Sequence, residues 1–141
     1  MKIKIVRIEK DLPLPEYKTE GAAAFDFYSR DDALLAPKEK KILPSNFIIE
    51  VPKGHALIVA ARSGTPKKGI MLANSIGIID EDYHGPSDEI GIWIWNITDA
   101  PIEIKRGDRI AQGLIVPIAR AEWEETEKIK ESSRGGFGST G

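Results

Sequence analysis

The chain has 141 residues and a formal net charge of −2 at pH 7, so it can form one domain with a real core but has no long-range field to attract nucleic acid or a membrane. It contains no cysteine and only two histidines, which excludes disulfides, thiolate nucleophiles and histidine-rich or cysteine zinc sites. Any metal should therefore be a hard ion bound by oxygen. Met1 leads into a strand pattern rather than a signal peptide, and no apolar run is long enough to span a membrane. We expect a cytoplasmic protein.

Short apolar segments separated by proline, glycine and charged residues run through most of the chain. They predict strands near residues 3–8, 22–27, 34–35, 42–44, 47–51, 56–61, 70–79, 90–95, 102–104 and 112–118. A short helix is predicted within residues 62–69. Ser63 or Thr65 can cap it, Pro66 suits its first turn and Gly69 suits its end. We therefore expect an all-β fold, a jelly-roll-like barrel or sandwich with one short helix.

The strand near residues 90–95 is unusual because residues 92–95 are Ile, Trp, Ile and Trp. A strand that is apolar on both faces is expected to be covered on both sides. Burial in the core and burial at a subunit interface would both give this pattern.

The composition changes at Glu122. Charged residues come first, followed by Ser, Gly, Thr and Arg around the single Phe137. Such a segment cannot bury enough apolar surface to fold alone. We expect a β domain over residues 1–121 and a flexible C-terminal arm over residues 122–141.

An apolar strand that ends in an acidic loop is the first candidate for a site of chemistry. Residues 75–79 run into Asp80, Glu81 and Asp82, and an apolar strand returns at residue 90. Side chains at strand ends are held more firmly than side chains in free loops, which suits catalysis. The alternative is an acidic hairpin turn without chemistry, and this stretch alone does not decide between the two.

Two other segments carry groups that favour anions. Arg62-Ser63-Gly64 opens the predicted helical turn, where backbone N–H groups, a guanidinium and a hydroxyl can bind phosphate. The alternative is a capped turn with a surface arginine. Residues 134–141 combine glycines with one arginine, one phenylalanine and a Ser-Thr pair, which suit phosphate and a stacked base. They lack the lysine of a P-loop, and the alternative is a plain flexible tail.

Two amide side chains could take part in recognition. Asn74 lies six residues before Asp80, and its amide offers the donor and the acceptor that binding a base edge requires. Gln112 is a polar interruption of an apolar strand. Each could equally have a local structural role.

Taken in order, five segments resemble the motifs of the all-β, homotrimeric dUTPases. The third matches the pattern GxIDxxYxG at every fixed position and is the most specific. The resemblance covers nearly the whole chain. The five segments are Ala23-Ala24-Phe25-Asp26-Phe27, Arg62-Ser63-Gly64 with Lys67-Lys68-Gly69-Ile70, Gly77-Ile78-Ile79-Asp80-Glu81-Asp82-Tyr83-His84-Gly85, Arg109-Ile110-Ala111-Gln112 and Gly136-Phe137-Gly138-Ser139-Thr140-Gly141.

This resemblance implies a homotrimeric enzyme that hydrolyses dUTP to dUMP and pyrophosphate by attack of water on the α-phosphorus. It implies Asp80 as general base, Mg²⁺ on the triphosphate with Asp26 reaching it through water, and an arm that closes over the site, on another subunit. Glu81 and Asp82 are interpreted as solvated turn charges. The implied uracil and deoxyribose residues are Asn74, Gly77, Ile78, Ile79, Tyr83, Gly91 and Phe137, and the implied phosphate residues are Arg62, Ser63, Gly64, Gln112, Arg134, Gly138, Ser139 and Thr140.

Three features depart from the family pattern. Ala24 stands where the family usually has glycine, and Arg134 lies two residues closer to the phenylalanine than usual. Pro86-Ser87-Asp88 resembles an insertion before Glu89 that lengthens the hairpin rim.

Two alternatives remain at the level of sequence. A dCTP deaminase resembles the same fold but has a different hairpin sequence, and release of ammonia from dCTP would identify it. A nucleotide-sensing regulator that binds a protein partner is the second alternative, for which only the insertion offers support. A pull-down with and without dUTP would detect such a partner.

Overall fold

The computed structural model describes residues 1–136 and 138, and their regular structure is almost entirely β. Every pair of hydrogen-bonded strands among them is antiparallel. The elements are β1 (Ile5–Arg7), β2 (Phe25–Tyr28), β3 (Ala33–Leu35), β4 (Lys40–Pro44), β5 (Phe47–Ile49), β6 (His55–Ala60), a 3₁₀ helix (Pro66–Lys68), β7 (Ile70–Leu72), β8 (Ile76–Ile79), β9 (Gly91–Asn96), β10 (Ile102–Ile104) and β11 (Arg109–Pro117).

The described strands form two larger sheets and two pairs. The first sheet has the order β2-β11-β6-β8 and the second has the order β4-β9-β7. The pairs are β1-β5 and β3-β10. Neighbours that are distant in sequence are typical of jelly-roll folds, and the predicted all-β class is confirmed. Strand β8 lies at the edge of its sheet, so one of its edges has no strand partner in the described chain.

One buried cluster joins both larger sheets and forms the core. Strand β9 shows the alternation that builds it, because Ile92, Ile94 and Asn96 are buried while Gly91 and Trp93 are exposed. Within a single chain only one face of this strand is covered. Cover of the second face by another subunit stays a prediction.

The open side of β9 carries a group of apolar side chains. Ile42 on β4 lies opposite Trp93, and Met71 on β7 lies opposite Trp95. Ile42 is 63% exposed and Trp93 is 44% exposed, which is high for large apolar side chains that lie side by side. We call Ile42, Met71, Trp93 and Trp95 the outer face.

The predicted short helix is a single 3₁₀ turn. Its N-cap residue is Thr65, and its C-cap residue Gly69 has a φ of 78°, in the left-handed region that favours glycine. The Gly69 N–H donates to the Pro66 carbonyl at 2.9 Å. A Cβ on Gly69 would lie 2.5 Å from Thr98 Cγ2, so both space and backbone conformation require glycine here.

The described residues that follow β11 form no helix or strand and are exposed. Trp123 and Ile129 are 92% and 99% exposed, so they contribute nothing to the core of the chain. The Ile118 N–H donates to the Gly54 carbonyl at 2.9 Å and attaches the start of this segment to the β5–β6 turn. The boundary predicted at residues 121 and 122 stays a prediction. In the described part of the chain, no helix has the length and apolar character needed to cross a membrane.

Candidate functional site

Three of the segments singled out by sequence meet in one row across the first sheet. Gln112 on β11 lies opposite Asp26 on β2 and opposite Ala60 on β6. The Gln112 amide donates to the Ala61 carbonyl at 2.9 Å. Strand register therefore brings Asp26 and Gln112 next to the residue that precedes Arg62.

Asp26 binds two arginines at the end of this row. Its Oδ1 accepts from Arg62 Nε at 2.6 Å and its Oδ2 accepts from Arg109 Nη1 at 3.1 Å. The Asp26 side chain is only 9% exposed, so the pair of arginines compensates a buried carboxylate. Each guanidinium keeps further N–H groups that Asp26 does not use, and these can bind an anion.

Hydrogen bonds within the loop that begins at Arg62 fix its shape, and the loop is accessible to solvent. The Arg62 N–H donates to Thr65 Oγ1 at 3.1 Å, and the Thr65 N–H donates to the Arg62 carbonyl at 2.9 Å. Ser63 is exposed. The space beside the Gly64 Cα is empty, so a phosphate oxygen can approach the backbone closely.

Asp80 lies immediately after β8, in the loop that leads to β9. The expected pairing of these two strands is wrong, because within the described chain β8 pairs with β6 and β9 pairs with β4 and β7. We keep the name hairpin for β8, this loop and the start of β9. Strand β8 is fixed by its pairing with β6, in which Gly77 lies opposite Val59 and Ile79 lies opposite Leu57. Asp80 is exposed. The Tyr83 N–H donates to the Asp80 carbonyl at 3.3 Å, which turns the chain after the strand. The carboxylate therefore stands at the end of a fixed strand and in contact with water.

A small cavity of about 130 Å³ lies between β8 and β9. The free edge of β8 borders it. Strand β9 pairs with β7 only from Ile94 onward, and the Ala73 N–H donates to the Trp93 carbonyl at 2.7 Å. Gly91 and Ile92 therefore have no strand partner on the β7 side in the described chain. Drug-sized pockets measure about 300–1,000 Å³, so this cavity suits a single planar ring rather than a whole nucleotide. Its walls include Asn74, Gly77, Ile78, Ile79, Gly91 and Trp93.

Two glycines in the cavity wall have little room for a side chain. A Cβ on Gly91 would lie 2.6 Å from Ile42 Cγ2, and a Cβ on Gly77 would lie 3.3 Å from Val59 Cβ. The Gly77 site also lies 3.7 Å from the Asn74 amide nitrogen. A side chain at Gly77 would press on Val59 in the cavity wall, and a side chain at Gly91 would collide with Ile42 on the neighbouring strand β4.

The Arg62 loop, which is predicted to bind phosphate, and the Asp80 carboxylate lie far apart within the chain. In the β6–β8 pair Ala60 lies opposite Ile76, so the Arg62 loop is at the start of β8. Asp80 is at its other end. Four residues of extended strand span about 13 Å. One chain therefore does not bring Arg62 and Asp80 together.

Comparison with known proteins gives this arrangement a family. The family model described as dUTPase matches residues 10–141. The chain belongs to the dUTPase family. Among its relatives, the deoxyuridine 5'-triphosphate nucleotidohydrolase of Dictyoglomus turgidum is 42% identical over 148 residues, which cover 100% of this chain and 99% of the relative.

Solved dUTPases have the same fold. The dUTPase of Staphylococcus bacteriophage 80alpha with dUpNHpp is 26% identical, with a TM-score of 0.87 over 99% of this chain and 98% of that chain. A mutant dUTPase from phage phi11 of S. aureus is 24% identical, with a TM-score of 0.81 over 91% of this chain and 98% of that chain. That mutant coordinates a structural Mg(II) ion.

Two sequence interpretations in the dUTPase hairpin had different outcomes. Asp82 is exposed, as expected. Glu81 is not a freely solvated charge, because it accepts from the Gly54 N–H at 2.8 Å and from Arg120 Nη2 at 3.1 Å. The Gly54 N–H, followed by the charges of Arg120 and Lys53, lowers the pKa of Glu81 against a desolvation that raises it.

Sequence reasoning also missed Arg109, which binds Asp26 beside Arg62. It stands in the segment Arg109-Ile110-Ala111-Gln112, but only strand register shows that it reaches Asp26. In the arm, Arg134 is exposed and Gly138 has a φ of 90°. The interpretations that concern Phe137, Ser139 and Thr140 lie outside the described residues.

Proposed function

We propose that this dUTPase-family chain hydrolyses dUTP to dUMP and pyrophosphate, with water attacking the α-phosphorus. The observation that carries the proposal is the ring-sized cavity between β8 and β9, whose lining includes Ile79, the residue before Asp80. One of its borders is β8, which has no strand partner on its second edge in the described chain. The names of the full-length relatives support the same substrate. The analogue dUpNHpp on the bacteriophage 80alpha enzyme supports it as well.

Uracil is proposed to occupy the cavity between β8 and β9. Backbone N–H and C=O groups near Ile78, Ile79 and Gly91, with the Asn74 amide, would bond to its edge. Cytosine inverts the donor and the acceptor on that edge, and it would leave buried polar groups unpaired. The 5-methyl group of thymine would add bulk to a space that already fits a ring closely. The site should therefore select uracil over both other pyrimidines.

Tyr83 is proposed to pack under the deoxyribose. It stands at the rim of the hairpin, where it is 41% exposed, and its hydroxyl donates to the Glu89 carbonyl at 3.3 Å. A ring held across the loop in this way leaves no room for a ribose 2′-hydroxyl. Sugar selection would therefore be steric.

The triphosphate is proposed to bind the residues at and around the Arg62 loop. Arg62, Ser63, Gly64 and Gln112 supply a guanidinium, a hydroxyl, an open backbone and an amide. Arg109 joins them, because Asp26 holds it next to Arg62. Two arginines fixed on one carboxylate keep their geometry before the substrate arrives, which favours positioning over rearrangement.

Mg²⁺ is the proposed cofactor. Within residues 1–136 and 138, no group of three or more acidic or histidine side chains could hold an ion. Asp26 already accepts from two arginines. This donor set fits an ion that keeps its waters and binds the triphosphate, with Asp26 reaching it through water. When bound, the ion neutralises phosphate charge.

Asp80 is proposed to orient and deprotonate the attacking water. Its carboxylate is exposed at the end of a fixed strand, so a water molecule can reach it while the backbone stays in place. Phosphoryl transfer depends on positioning and charge neutralisation more than on covalent help. One general base of this kind is sufficient.

The active species is proposed to be a homotrimer. The distance between Arg62 and Asp80 along β8 means that a complete site needs groups from more than one chain. The outer face supplies an apolar surface that a second copy can cover. The arm, residues 122–141, is proposed to close over a site on another subunit, with Phe137 on the uracil ring and Arg134, Gly138, Ser139 and Thr140 on the phosphates.

Product analysis tests the proposal directly. The purified chain is incubated with dUTP, dCTP, dTTP or UTP and Mg²⁺, and nucleotides, pyrophosphate, orthophosphate and ammonia are separated and quantified. We expect dUMP and pyrophosphate from dUTP, and little from the other three. Asp80→Asn, purified in parallel, controls for contaminating phosphatases. Orthophosphate as the first product, or ammonia from dCTP, would contradict the proposal.

A further inference from the structure

The lengthened hairpin is closed by a local turn. The Gly85 N–H donates to Asp88 Oδ2 at 2.6 Å, and the Asp88 N–H donates to the Gly85 carbonyl at 3.1 Å. This turn shapes residues 85–88 but does not attach them to the domain. The attachment comes from the next residue, Glu89.

Glu89 binds three donors of the domain at once. Its Oε1 accepts from Arg30 Nε at 2.9 Å and its Oε2 accepts from Arg30 Nη2 at 3.0 Å. Oε1 also accepts from the Asn46 N–H at 2.7 Å. The side chains of Arg30 and Glu89 are 23% and 18% exposed. A two-point pair with this burial fixes both position and angle, which a single contact would not do.

The same residue holds Tyr83 through its backbone. The Tyr83 hydroxyl donates to the Glu89 carbonyl at 3.3 Å. On the other side, the Ile90 N–H donates to the Phe47 carbonyl at 2.9 Å. The carbonyl that Tyr83 uses is therefore fixed by the Glu89 carboxylate on one side and by Ile90 on the other.

We propose that Arg30 and Glu89 are positioning residues that set the place of the Tyr83 ring, and with it the discrimination between deoxyribose and ribose. This proposal rests on the proposed function, in which Tyr83 packs under the sugar. Both residues lie outside the five segments that resemble family motifs. They act through the Glu89 carbonyl and not by contact with substrate.

The test is sugar selectivity in Glu89→Gln. Glutamine keeps the shape but loses the charge and one of the two acceptors that Arg30 requires. We expect the ratio of kcat/KM for dUTP to that for UTP to fall about tenfold, as loss of a positioning contact does. The ratio for dUTP to dCTP should stay within about twofold, because the base is bound by other groups.

Glu9→Gln is the matched control. Glu9 contacts Arg30 Nη1 at 3.5 Å and Arg106 Nη2 at 2.5 Å, so it belongs to the same charge cluster but does not contact the hairpin in the described chain. Its substitution should leave the sugar ratio unchanged. An equal fall in both variants would indicate a general loss of structure and overturn the proposal.

A double-mutant cycle tests the route through Tyr83. Tyr83→Phe removes the hydroxyl that reaches Glu89, so Glu89→Gln should then cause no further loss of sugar selectivity. If Glu89→Gln does not fold, Arg30→Lys replaces it, since lysine keeps the charge but cannot form the two-point pair. An unchanged ratio of kcat/KM for dUTP to that for UTP in Glu89→Gln, or in Arg30→Lys if Glu89→Gln does not fold, overturns the proposal.

Binding of dUMP and UMP, measured by calorimetry, distinguishes failure of the proposed function from failure of the positioning role alone. A wild-type chain that binds neither nucleotide refutes the proposed function and the positioning role with it. A wild-type chain that prefers dUMP, with Glu89→Gln keeping the whole preference, refutes the positioning role alone.

Discussion

Asp80 and Arg62 lie at opposite ends of the β6–β8 pair, because Ala60 pairs with Ile76 and β8 runs on for three more residues before Asp80. The separation follows from antiparallel pairing and does not depend on side-chain conformation. A dUTPase site that uses both residues must therefore combine different chains.

Mixing two inactive variants should restore activity. Asp80→Asn lacks the proposed general base and Arg62→Ala lacks a proposed phosphate ligand. In the proposed homotrimer, every mixed trimer would contain one site with both groups intact. Hydrolysis of dUTP by co-refolded variants should clearly exceed the sum of the separate samples. Each variant refolded alone is the control. No gain on mixing, or a fully active monomer in sedimentation, would show that the site lies within one chain.

Asp80→Asn should keep the fold and bind dUMP while losing nearly all turnover. Asparagine preserves the shape but cannot accept the proton of the attacking water, and loss of a general base typically costs about 10²–10⁴-fold. Single-turnover hydrolysis of dUTP is the measurement. Asp82→Asn, a neighbouring exposed carboxylate, should remain active. A near-normal rate for Asp80→Asn would remove this residue from the mechanism.

Tyr83→Ala should weaken discrimination against UTP more than discrimination against dCTP. The ring is proposed to contact the sugar, so its removal opens space for a 2′-hydroxyl without changing the groups that bind the base edge. The kcat/KM values for dUTP, UTP and dCTP give the two ratios. Equal loss of both would place the ring elsewhere in the site.

Deletion of residues 132–141 should reduce turnover by orders of magnitude while leaving the melting temperature almost unchanged. The described residues of this segment are exposed, so they add little to the core. Stacking of a base on Phe137 would contribute about 1–3 kcal/mol, and ordering each residue costs about 1–2 kcal/mol. Closure should therefore depend on ligand and act mainly on turnover.

Single-turnover hydrolysis by the truncated chain checks this prediction, with dUMP binding as the control for an intact pocket. A rate within a few-fold of the full-length chain would show that the segment has no catalytic part.

Glu81 should make stability sensitive to acid. The Gly54 N–H holds the pKa of Glu81 below its ordinary value. The ionised form of Glu81 is therefore more stable in the folded chain than in the unfolded chain. This contribution is present above the unfolded pKa of about 4.3 and is lost as pH falls through the lower folded pKa. The free energy of unfolding, measured with urea between about pH 6 and pH 3, should fall less steeply with decreasing pH in Glu81→Gln than in the wild type. Identical slopes for this variant and the wild type would contradict the assignment.

Much of the fold could be predicted because the strands are short, apolar and bounded by turn residues. The end of β8 at Asp80 was also predictable, since the change from apolar to acidic is local in sequence. Pairing of the two strands of the expected hairpin was wrong, because β8 pairs with β6 and β9 pairs with β4 and β7. The prediction of a short helix within residues 62–69 was nearly correct for the same reason. The residues that define the 3₁₀ turn, Thr65, Pro66 and Gly69, are close together in sequence.

Contacts between distant residues could not be predicted in this way. The Glu81 carboxylate meets the Gly54 N–H only because two separate turns lie side by side. Arg109 reaches Asp26 only because β11 pairs with β2 in one register. Trp93 belongs to an apolar run whose pattern is the same in a core strand and in a strand with one open face.

The free edge of β8 has a consequence for solubility. An edge strand with unpaired backbone groups is a template for pairing with another chain, and Ile76 and Ile78 on β8 are 48% and 60% exposed. The strand is only four residues long and runs directly into Asp80, Glu81 and Asp82, whose charge opposes the approach of a foreign strand. The charge of the acidic loop thus disfavours aggregation at the same backbone edge that is proposed to bind a nucleobase.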